Sequence, residues 1–464
     1  MNDSPVARVA LVGCGAQARH LHLPAIDGNG KTGRAAVIGL AVDLAGQEDA
    51  IRGYFAGRAA SPDFLFIDPG LPADQVRPRF LAACRAARID RVVVSTEPLH
   101  HKKYILWALD GGMDVFADKP LTAIDLSGRD PVKAAELVAD LEEILAAERR
   151  SAAAVTLNTP RRRHAGYAFL REYAESFVGQ YQVPVSHLSI RNYEGSWYLA
   201  DDYLFRENHP YRYGFGKLLH GGYHHIDLLM SLLSVNDAVP GWCPDRLRVA
   251  TQHARPGDVL RQFPPARQAA LLGGSSTAEQ ADRTRYGSCG EVDVVASVAA
   301  VQDRTVLATG SLELLVSSVS ARSWFERPAD PRGSSGQVRQ EQVQVSVGPL
   351  LSITTSDYKV PGGWPGEGSV TNFSVQVYRN TALVGGTAFE RFEFADSPGP
   401  SVDANLHRAA YRRNMSGWLD GEPPLIPLEA HRNGIRLLAG MYRAMLSQEA
   451  GAAGACDVLL APGW

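Results

Sequence analysis

The chain has 464 residues, which is too long for one ordinary hydrophobic core and therefore predicts two domains. Apolar residues make up 45% of the sequence and charged residues 21%, as expected of a folded globular protein. The formal net charge of -3 leaves no overall basic field, which argues against nucleic acid as the main partner, with a local basic patch as the alternative.

The first third of the chain alternates apolar, β-branched segments with helical ones. Strands are predicted over Ala7–Val12, Ala36–Asp43, Arg91–Ser95, Met113–Ala117 and Val155–Leu157, and helices over Val76–Ala87, His101–Gly111 and Val132–Arg149. All-apolar strands that alternate with helices are typical of a parallel sheet covered on both faces. Residues 1–150 are therefore predicted to form a doubly wound α/β domain.

The later part of the chain changes to an alternation of apolar and polar residues, which is typical of antiparallel strands with one wet face. Such strands are predicted over Glu291–Ala300, Val306–Ser317, Val343–Val347 and Phe373–Val377. Residues 151–464 are thus predicted to form an α+β domain with a large, open, mostly antiparallel sheet.

Several segments of this second domain have other predicted structures. Loops rich in Gly, Ser, Pro and Arg are predicted over Ala254–Gly290 and Glu326–Gln340, and a tight turn over Val360–Gly368. A last helix is predicted because apolar residues recur on one helical face, and we expect it to pack back on the first domain. Those residues are Ile435, Leu438, Tyr442 and Met445.

Three features predict a cytoplasmic protein without membrane segments. The five cysteines are widely spread and form no C-x-x-C pair, which indicates neither a disulfide framework nor a zinc knuckle. The N-terminal apolar run ends at a glycine turn and lacks a basic leader, so it is not expected to be a signal peptide. No run approaches the roughly 20 apolar residues that a membrane span needs.

The segment Val9–Ala18 reads VALVGCGAQA and places a glycine turn between a strand and a helix. Gly13 would allow the tight turn, Gly15 would let the backbone approach a pyrophosphate, and Ala18 would allow close helix packing. A plain strand–turn–helix is the alternative. Asp43 ends the second strand, where a carboxylate can bind the ribose of NAD, and no cation follows directly to hold a ribose phosphate. The pattern therefore favours NAD, with NADP as the alternative.

Two further segments carry groups suited to proton chemistry. Lys119 follows a predicted strand, and the carboxyl ends of such strands are where ligands bind, although an ordinary surface lysine is the alternative. His220 and His224 lie four residues apart and share a face if the segment is helical. They can transfer protons, form structural hydrogen bonds or bind zinc, but no third ligand is evident and we predict no metal.

In this order the motifs resemble the Gfo/Idh/MocA family of oxidoreductases. The resemblance is carried by Gly13-Cys-Gly15, by Thr96 and His101, by Asp118-Lys119-Pro120 and by the stretch from His220 to Asp227. It implies a Rossmann domain followed by a sheet domain that carries the substrate site and often the subunit interface. It implies hydride transfer between a nicotinamide cofactor and a sugar, a cyclitol or a related small molecule. We expect a homo-oligomer, either a dimer or a tetramer.

The resemblance also assigns roles to residues. Lys119 would polarise the substrate oxygen and contact the cofactor, and His224 would act as general acid and base, with His220 as the other catalytic candidate. The predicted cofactor contacts are Gly13, Cys14, Gly15, Ala16, Gln17, Ala18, Asp43, Thr96, Glu97, Pro98, His101, Asp118 and Lys119. The predicted substrate contacts are Arg161, Arg162, Tyr167, Trp197, Tyr198, His220 and His224, and packing is the favoured alternative for the Trp197-Tyr198 pair.

The sequence departs from the family pattern at two positions. Asp118 stands where a glutamate is usual, which keeps the charge. His220 stands where an aspartate is usual, so the substrate can differ from a plain polyol or the acid–base role can have moved to His220. Two other functions stay open: a lyase or glycosidase that oxidises its substrate transiently, and a non-catalytic sensor such as the yeast galactose repressor.

Overall fold

The computed structural model describes most of the chain and divides it into two compact units. The described residues are 6–30, 33–58, 61–194, 200–207, 209–272, 286–317, 339–360, 370–395 and 406–461. Unit 1 comprises Met1–Ala123, Leu137–Arg163 and His407–Arg432. Unit 2 comprises Ile124–Glu136, His164–Leu406 and Asn433–Trp464.

The parallel sheet of unit 1 comes from the first third of the chain. In chain order the elements are β1 Ala7–Val12, a π-helical turn Ala18–His22, α1 Leu23–Asn29, β2 Ala36–Leu44, α2 Glu48–Phe55, β3 Asp63–Ile67, α3 Ala73–Ala86, β4 Arg91–Val94, α4 His101–Asp110, β5 Asp114–Ala117, α5 Glu136–Arg150 and β6 Val155–Leu157. The strands pair in parallel in the order β3-β2-β1-β4-β5-β6. This is the order of the doubly wound dinucleotide-binding fold, and it confirms the predicted fold class.

The centre of this sheet determines where a ligand can bind. Val9 and Leu11 of β1 are fully buried and share one apolar core with Ile26, Phe116 and Trp418. The strand order reverses between β1 and β4, so the connections after these strands run to opposite sides of the sheet. The carboxyl ends of β1 and β4 therefore flank the crevice at which such sheets bind ligands.

Nearly all of the remaining elements belong to unit 2. They are α6 Ala165–Tyr181, β7 His187–Tyr193, α7 Ala200–Phe205, a π-helical turn Leu218–Gly222, α8 Tyr223–Leu233, β8 Arg246–Ala254, α9 Pro256–Gln262, α10 Pro265–Leu272, β9 Asp293–Gln302, β10 Thr305–Leu315, β11 Arg339–Val347, β12 Leu351–Val360, β13 Val370–Arg379, α11 Thr381–Val384, β14 Phe389–Ala395, α12 Leu406–Asp420, α13 Arg432–Glu449 and β15 Ala455–Leu459. Helix α12 is the exception, because it falls almost entirely in unit 1.

The strands of unit 2 form a nine-stranded sheet in the order β14-β13-β12-β11-β7-β10-β9-β8-β15. All its pairs are antiparallel except β10 with β7, which confirms the predicted mostly antiparallel sheet. One face is apolar because inward residues alternate with polar ones, as with Val343, Val345 and Val347 on β11. The predicted last helix is α13, and all four of its predicted apolar residues are buried.

One predicted loop is wrong in part. Helices α9 and α10 occupy residues 256–272, inside the segment Ala254–Gly290 that composition assigned to a loop. Asp258, at the third helical position, accepts the backbone N–H of Arg255 at 3.0 Å, and Pro256 occupies the first helical position, so both favour the start of α9. These local features outweigh the Pro- and Arg-rich composition.

Two other predicted segments lie mostly outside the described residues. Of Glu326–Gln340, only Arg339 and Gln340 are described, and they belong to strand β11 rather than to a loop. Of Val360–Gly368, only Val360 is described, at the end of β12. Within the described ranges, no helix combines the length and the apolar character that crossing a membrane requires.

Candidate functional site

The glycine turn after β1 is closed by the neighbouring strands. Gly13 has a φ of 88°, a left-handed conformation that favours glycine, and its N–H donates to the carbonyl of Val42 at 2.9 Å. A Cβ at Gly13 would lie 2.5 Å from the carbonyl oxygen of Ser95, whereas a Cβ at Gly15 would meet nothing within 4 Å. The backbone is therefore tightly packed at the first glycine and open at the second, which suits the approach of a phosphate group.

Asp43 connects the end of β2 to this turn. One carboxylate oxygen accepts the backbone N–H of Cys14 at 2.8 Å, and the other accepts that of Leu44 at 2.8 Å. Each oxygen can accept a second hydrogen bond, so the side chain keeps acceptor capacity for ribose hydroxyls. Residues Gly15, Ala16 and Gln17 are exposed beside it. These features fit a dinucleotide at the turn.

Cys14 lies inside the turn but is not a nucleophile. Its side chain is fully buried. Burial, and after it the negative charge of Asp43, raise the pKa of the Cys14 thiol to about 12. The thiol therefore stays protonated, and its role is to pack beneath the turn.

The segments after β4 and β5 bring several predicted residues together. Lys119 follows β5 and is half-buried, while His101, the first residue of α4, is buried. The His101 ring nitrogens lie 2.8 Å from the carbonyl oxygen of Pro120 and 3.0 Å from that of Thr96. Burial lowers the pKa of His101, so the neutral ring donates its one N–H to one of these carbonyls and packs against the other. Glu97 and Pro98 lie half-buried in the same connection.

Asp118, next to Lys119, is a buried carboxylate with several donors. Ser95 donates its hydroxyl at 2.7 Å and Asn158 its amide at 3.0 Å, while a ring nitrogen of His22 lies at 2.8 Å. Burial alone would raise the pKa of Asp118, but the His22 ring, Asn158 and Ser95 hold that pKa well below its usual range. The carboxylate is ionised and fixed directly beside the candidate lysine.

The histidine segment of unit 2 runs from the π-helical turn Leu218–Gly222 into α8. His220 is half-buried, with Nε2 3.2 Å from the carbonyl oxygen of Pro210 and its ring edge-on to Tyr211. His224 is also half-buried, whereas its neighbours His225 and Asp227 are buried. The two predicted histidines are thus the accessible ones of the segment.

Glu291 fixes the start of this segment, and the sequence analysis did not identify it. Its Oε1 accepts the N–H of Leu218 at 2.8 Å and the hydroxyl of Tyr442 at 3.0 Å. Its backbone oxygen accepts the N–H of Lys217, and a Cβ at Gly216 would lie 2.0 Å from that oxygen. Glu291 therefore holds the turn that carries His220.

We expect Glu291→Gln and Glu291→Ala to differ in stability and in pH dependence. The side chain is fully buried and burial raises its pKa, so the folded state favours the protonated acid. Its stabilisation is present below the unfolded pKa of about 4.3 and is lost as pH rises through the folded value. Glu291→Gln should gain stability relative to wild type as pH rises from 5 to 8. Glu291→Ala should lose about 1–3 kcal/mol at both pH values, because the Leu218 N–H loses its acceptor.

Urea unfolding of the three proteins at both pH values measures these differences in unfolding free energy. A Gln variant whose stability relative to wild type stays the same from pH 5 to pH 8 would show that Glu291 is already ionised in the folded protein at pH 5. That result would contradict the expected protonation state.

A second buried polar cluster surrounds Glu341 of β11. It accepts hydrogen bonds from the hydroxyl of Tyr167 and, at 3.2 Å, from the amide of Asn192. Nε2 of His225 lies 2.7 Å from the same carboxylate. Lys217 joins the cluster with its Nζ 2.7 Å from Asn192 Oδ1. Tyr167, a predicted substrate contact, is 1% exposed and lies within this cluster.

The other predicted substrate contacts fall in different places. Arg161 and Arg162 are half-buried in a 3-10 helix, Pro160–Arg163, which follows the carboxyl end of β6 in unit 1. Trp197 and Tyr198 lie outside the described residues.

Solved structures share this architecture over nearly the whole chain. The aldose–aldose oxidoreductase from Caulobacter crescentus, complexed with glycerol, is 14% identical, with 98% of this chain and 100% of that chain covered and a TM-score of 0.54. A 3-ketoreductase from Actinomadura kijaniata, in complex with NADP, is 14% identical, with 97% and 98% covered and a TM-score of 0.56. The WlbA dehydrogenase from Bordetella pertussis, in complex with NADH and UDP-GlcNAcA, is 13% identical, with 98% and 99% covered and a TM-score of 0.56.

The chain has the fold of these oxidoreductases. The resemblance to the Gfo/Idh/MocA family, which the motifs predict, is thereby confirmed at the level of the fold. No protein-family model and no curated protein sequence matches the chain. The shared fold extends over both units, whereas the motifs end near Asp227.

Proposed function

We propose that the chain is a nicotinamide-dependent oxidoreductase that acts on a CH–OH or carbonyl carbon of a sugar, a cyclitol or a related small molecule. The observation that carries the proposal is the carboxyl edge of the parallel sheet, where the open glycine turn follows β1, Asp43 lies at the end of β2 and Lys119 follows β5. The shared fold supports it, since two of the structures with this fold were solved in complex with NADP and with NADH. A bound nicotinamide would supply or accept the hydride.

Asp43 favours NAD over NADP. Its carboxylate has acceptor capacity for ribose hydroxyls, and a ribose phosphate there would meet a negative charge. Leu44, Ala45 and Gly46 follow and supply no cation. The exposed backbone of Gly15 to Gln17 would bind the pyrophosphate.

Lys119 and His224 would carry the chemistry. We assign Lys119 to the polarisation of the substrate oxygen, because an ammonium stabilises negative charge that develops there. We assign His224 to proton exchange with that oxygen, since imidazole titrates near neutral pH. His220 is the alternative acid–base group, because it is half-buried in the same segment.

The test begins with wild-type protein, NADH and NADPH. We expect fluorescence titration to show tighter binding of NADH, and a panel of sugars, cyclitols and sugar acids to show cofactor turnover. Product release without net cofactor consumption would instead indicate a lyase or glycosidase that oxidises its substrate transiently. Cofactor binding without turnover or product release across the panel would indicate a sensor.

Matched histidine variants then assign the proton transfer. We expect His224→Gln to lower kcat by on the order of 10²-fold, while His220→Gln mainly raises KM. His187→Gln, on the outer face of β7, serves as the control. The opposite result, with kcat lost only in the His220 variant, would move the acid–base role to His220.

A further inference from the structure

A series of hydrogen bonds between buried polar groups begins at Asp118, beside Lys119, and ends at a residue far from Lys119 in sequence. His22, in the π-helical turn after the glycine turn, is fully buried. Its Nε2 lies 2.8 Å from Asp118, and its Nδ1 hydrogen-bonds the hydroxyl of Tyr411. Tyr411 belongs to helix α12, so the carboxylate beside Lys119 is linked to the last quarter of the chain. All of these residues belong to unit 1.

The direction of these hydrogen bonds follows from the available acceptors. The ionised Asp118 can only accept, so Nε2 of His22 carries a proton and donates it. Burial raises the pKa of Tyr411 well above its usual value, so this hydroxyl keeps its proton. In the described part of the chain, Nδ1 of His22 is the acceptor found for that hydroxyl. With the hydroxyl donating to Nδ1 and Nε2 donating to the carboxylate, the sequence of donors runs from Tyr411 through His22 to Asp118.

The residues on both sides of Lys119, Asp118 and Pro120, are thus held in place by their contacts. On one side, Asp118 has its carboxylate bound by His22, Ser95 and Asn158, and its backbone N–H bound by the carbonyl of Val94 at 2.9 Å. On the other side, the carbonyl of Pro120 lies against the buried ring of His101, as described above. Little freedom is left to the backbone of Lys119.

We propose that Tyr411 and His22 are positioning residues for Lys119. By this proposal, Tyr411 selects the His22 tautomer that donates to Asp118, and the fixed carboxylate sets the position of the lysine at the carboxyl edge of the sheet. The inference rests on the proposed function for its effect on turnover. It adds that helix α12 contributes to the site, because the position of Lys119 depends on the phenolic hydroxyl of Tyr411.

Two pairs of variants separate positioning from folding. Tyr411→Phe removes only the hydroxyl, and we expect it to lower kcat by on the order of 10–100-fold with KM and the NADH Kd nearly unchanged. His22→Gln keeps an N–H donor for Asp118 and should retain more kcat than His22→Leu, which has none. Tyr181→Phe removes a hydroxyl that donates to the carbonyl of Val384 at 2.9 Å in unit 2, and it should leave kcat unchanged.

Nitrogen NMR of the His22 ring supplies a readout that does not need turnover. In wild-type protein we expect a neutral ring protonated on Nε2, and in Tyr411→Phe a ring that has lost this single tautomer. A doubly protonated ring or an Nδ1-protonated ring in the wild type would overturn the proposal. If the wild type turns over substrate and Tyr411→Phe has the same kcat, the positioning role is overturned and the proposed function stands. If the wild type shows no turnover, both the positioning role and the proposed function are overturned.

Discussion

Replacing Lys119 with alanine is expected to lower kcat by on the order of 10³-fold or more, because the variant loses the charged donor at the substrate oxygen. The fold should be unaffected, since Lys119 is half-buried at the end of β5 and its neighbours keep their hydrogen bonds. The NADH Kd should change little, because the turn and Asp43 supply most of the proposed cofactor contacts. Steady-state kinetics with the best substrate of the panel, beside fluorescence titration, measures both quantities.

Two further lysine variants test whether the effect is specific. Lys133→Ala removes an exposed lysine and should leave kcat unchanged. Lys119→Arg keeps the positive charge but should not restore kcat, because a planar guanidinium does not place its donors where an ammonium does. Unchanged turnover in Lys119→Ala would remove the lysine from the mechanism, and full activity in Lys119→Arg would reduce its role to charge alone.

The parallel sheet was predictable because its strands are buried on both faces. β1, β4 and β5 are apolar segments, and their predicted bounds agree with the structure to within a residue. The sequence analysis did not find β3, Asp63–Ile67, which lies at the edge of the sheet and is largely half-buried. Its sequence DFLFI has four consecutive apolar residues and is one residue longer than β4 and β5, so a strand signal was present there as well.

The partners of the candidate lysine could not be predicted in the same way. The glycine turn and Lys119 belong to contiguous motifs, whereas His22 and Tyr411 are 389 residues apart and meet only in the folded unit. Asn158 reaches Asp118 from the end of another strand. Local sequence patterns carry no signal for contacts of this kind.

Glu341 is a case in which a signal was present. It shares its side of β11 with Val343, Val345 and Val347, so strict alternation places it on the buried face. A carboxylate at an inward position requires buried donors, and the structure supplies them from Tyr167, Asn192 and His225. The alternation therefore predicts a buried polar cluster, although it does not identify the donors.

Breaking the ion pair of Lys217 is expected to have the largest effect on stability. The Lys217 side chain is 1% exposed, and its Nζ lies 2.5 Å from Glu194 Oε1. Glu194→Ala leaves the buried ammonium without its carboxylate and should lower the unfolding free energy by about 3 kcal/mol, the lower end for buried pairs. The lower end applies because the Glu194 side chain is 18% exposed and water can partly replace it.

A double-mutant cycle separates the pair from the packing of its side chains. Lys217→Met keeps an unbranched side chain of similar length in the buried site and removes the charge, so Lys217→Met/Glu194→Ala should be more stable than Glu194→Ala. Glu175→Ala, which breaks the exposed pair with Arg171, is the control and should cost about 0.3–0.5 kcal/mol. Urea unfolding of all four variants measures these differences. A loss in Glu194→Ala no larger than in Glu175→Ala would show that water solvates the Lys217 ammonium once the carboxylate is removed.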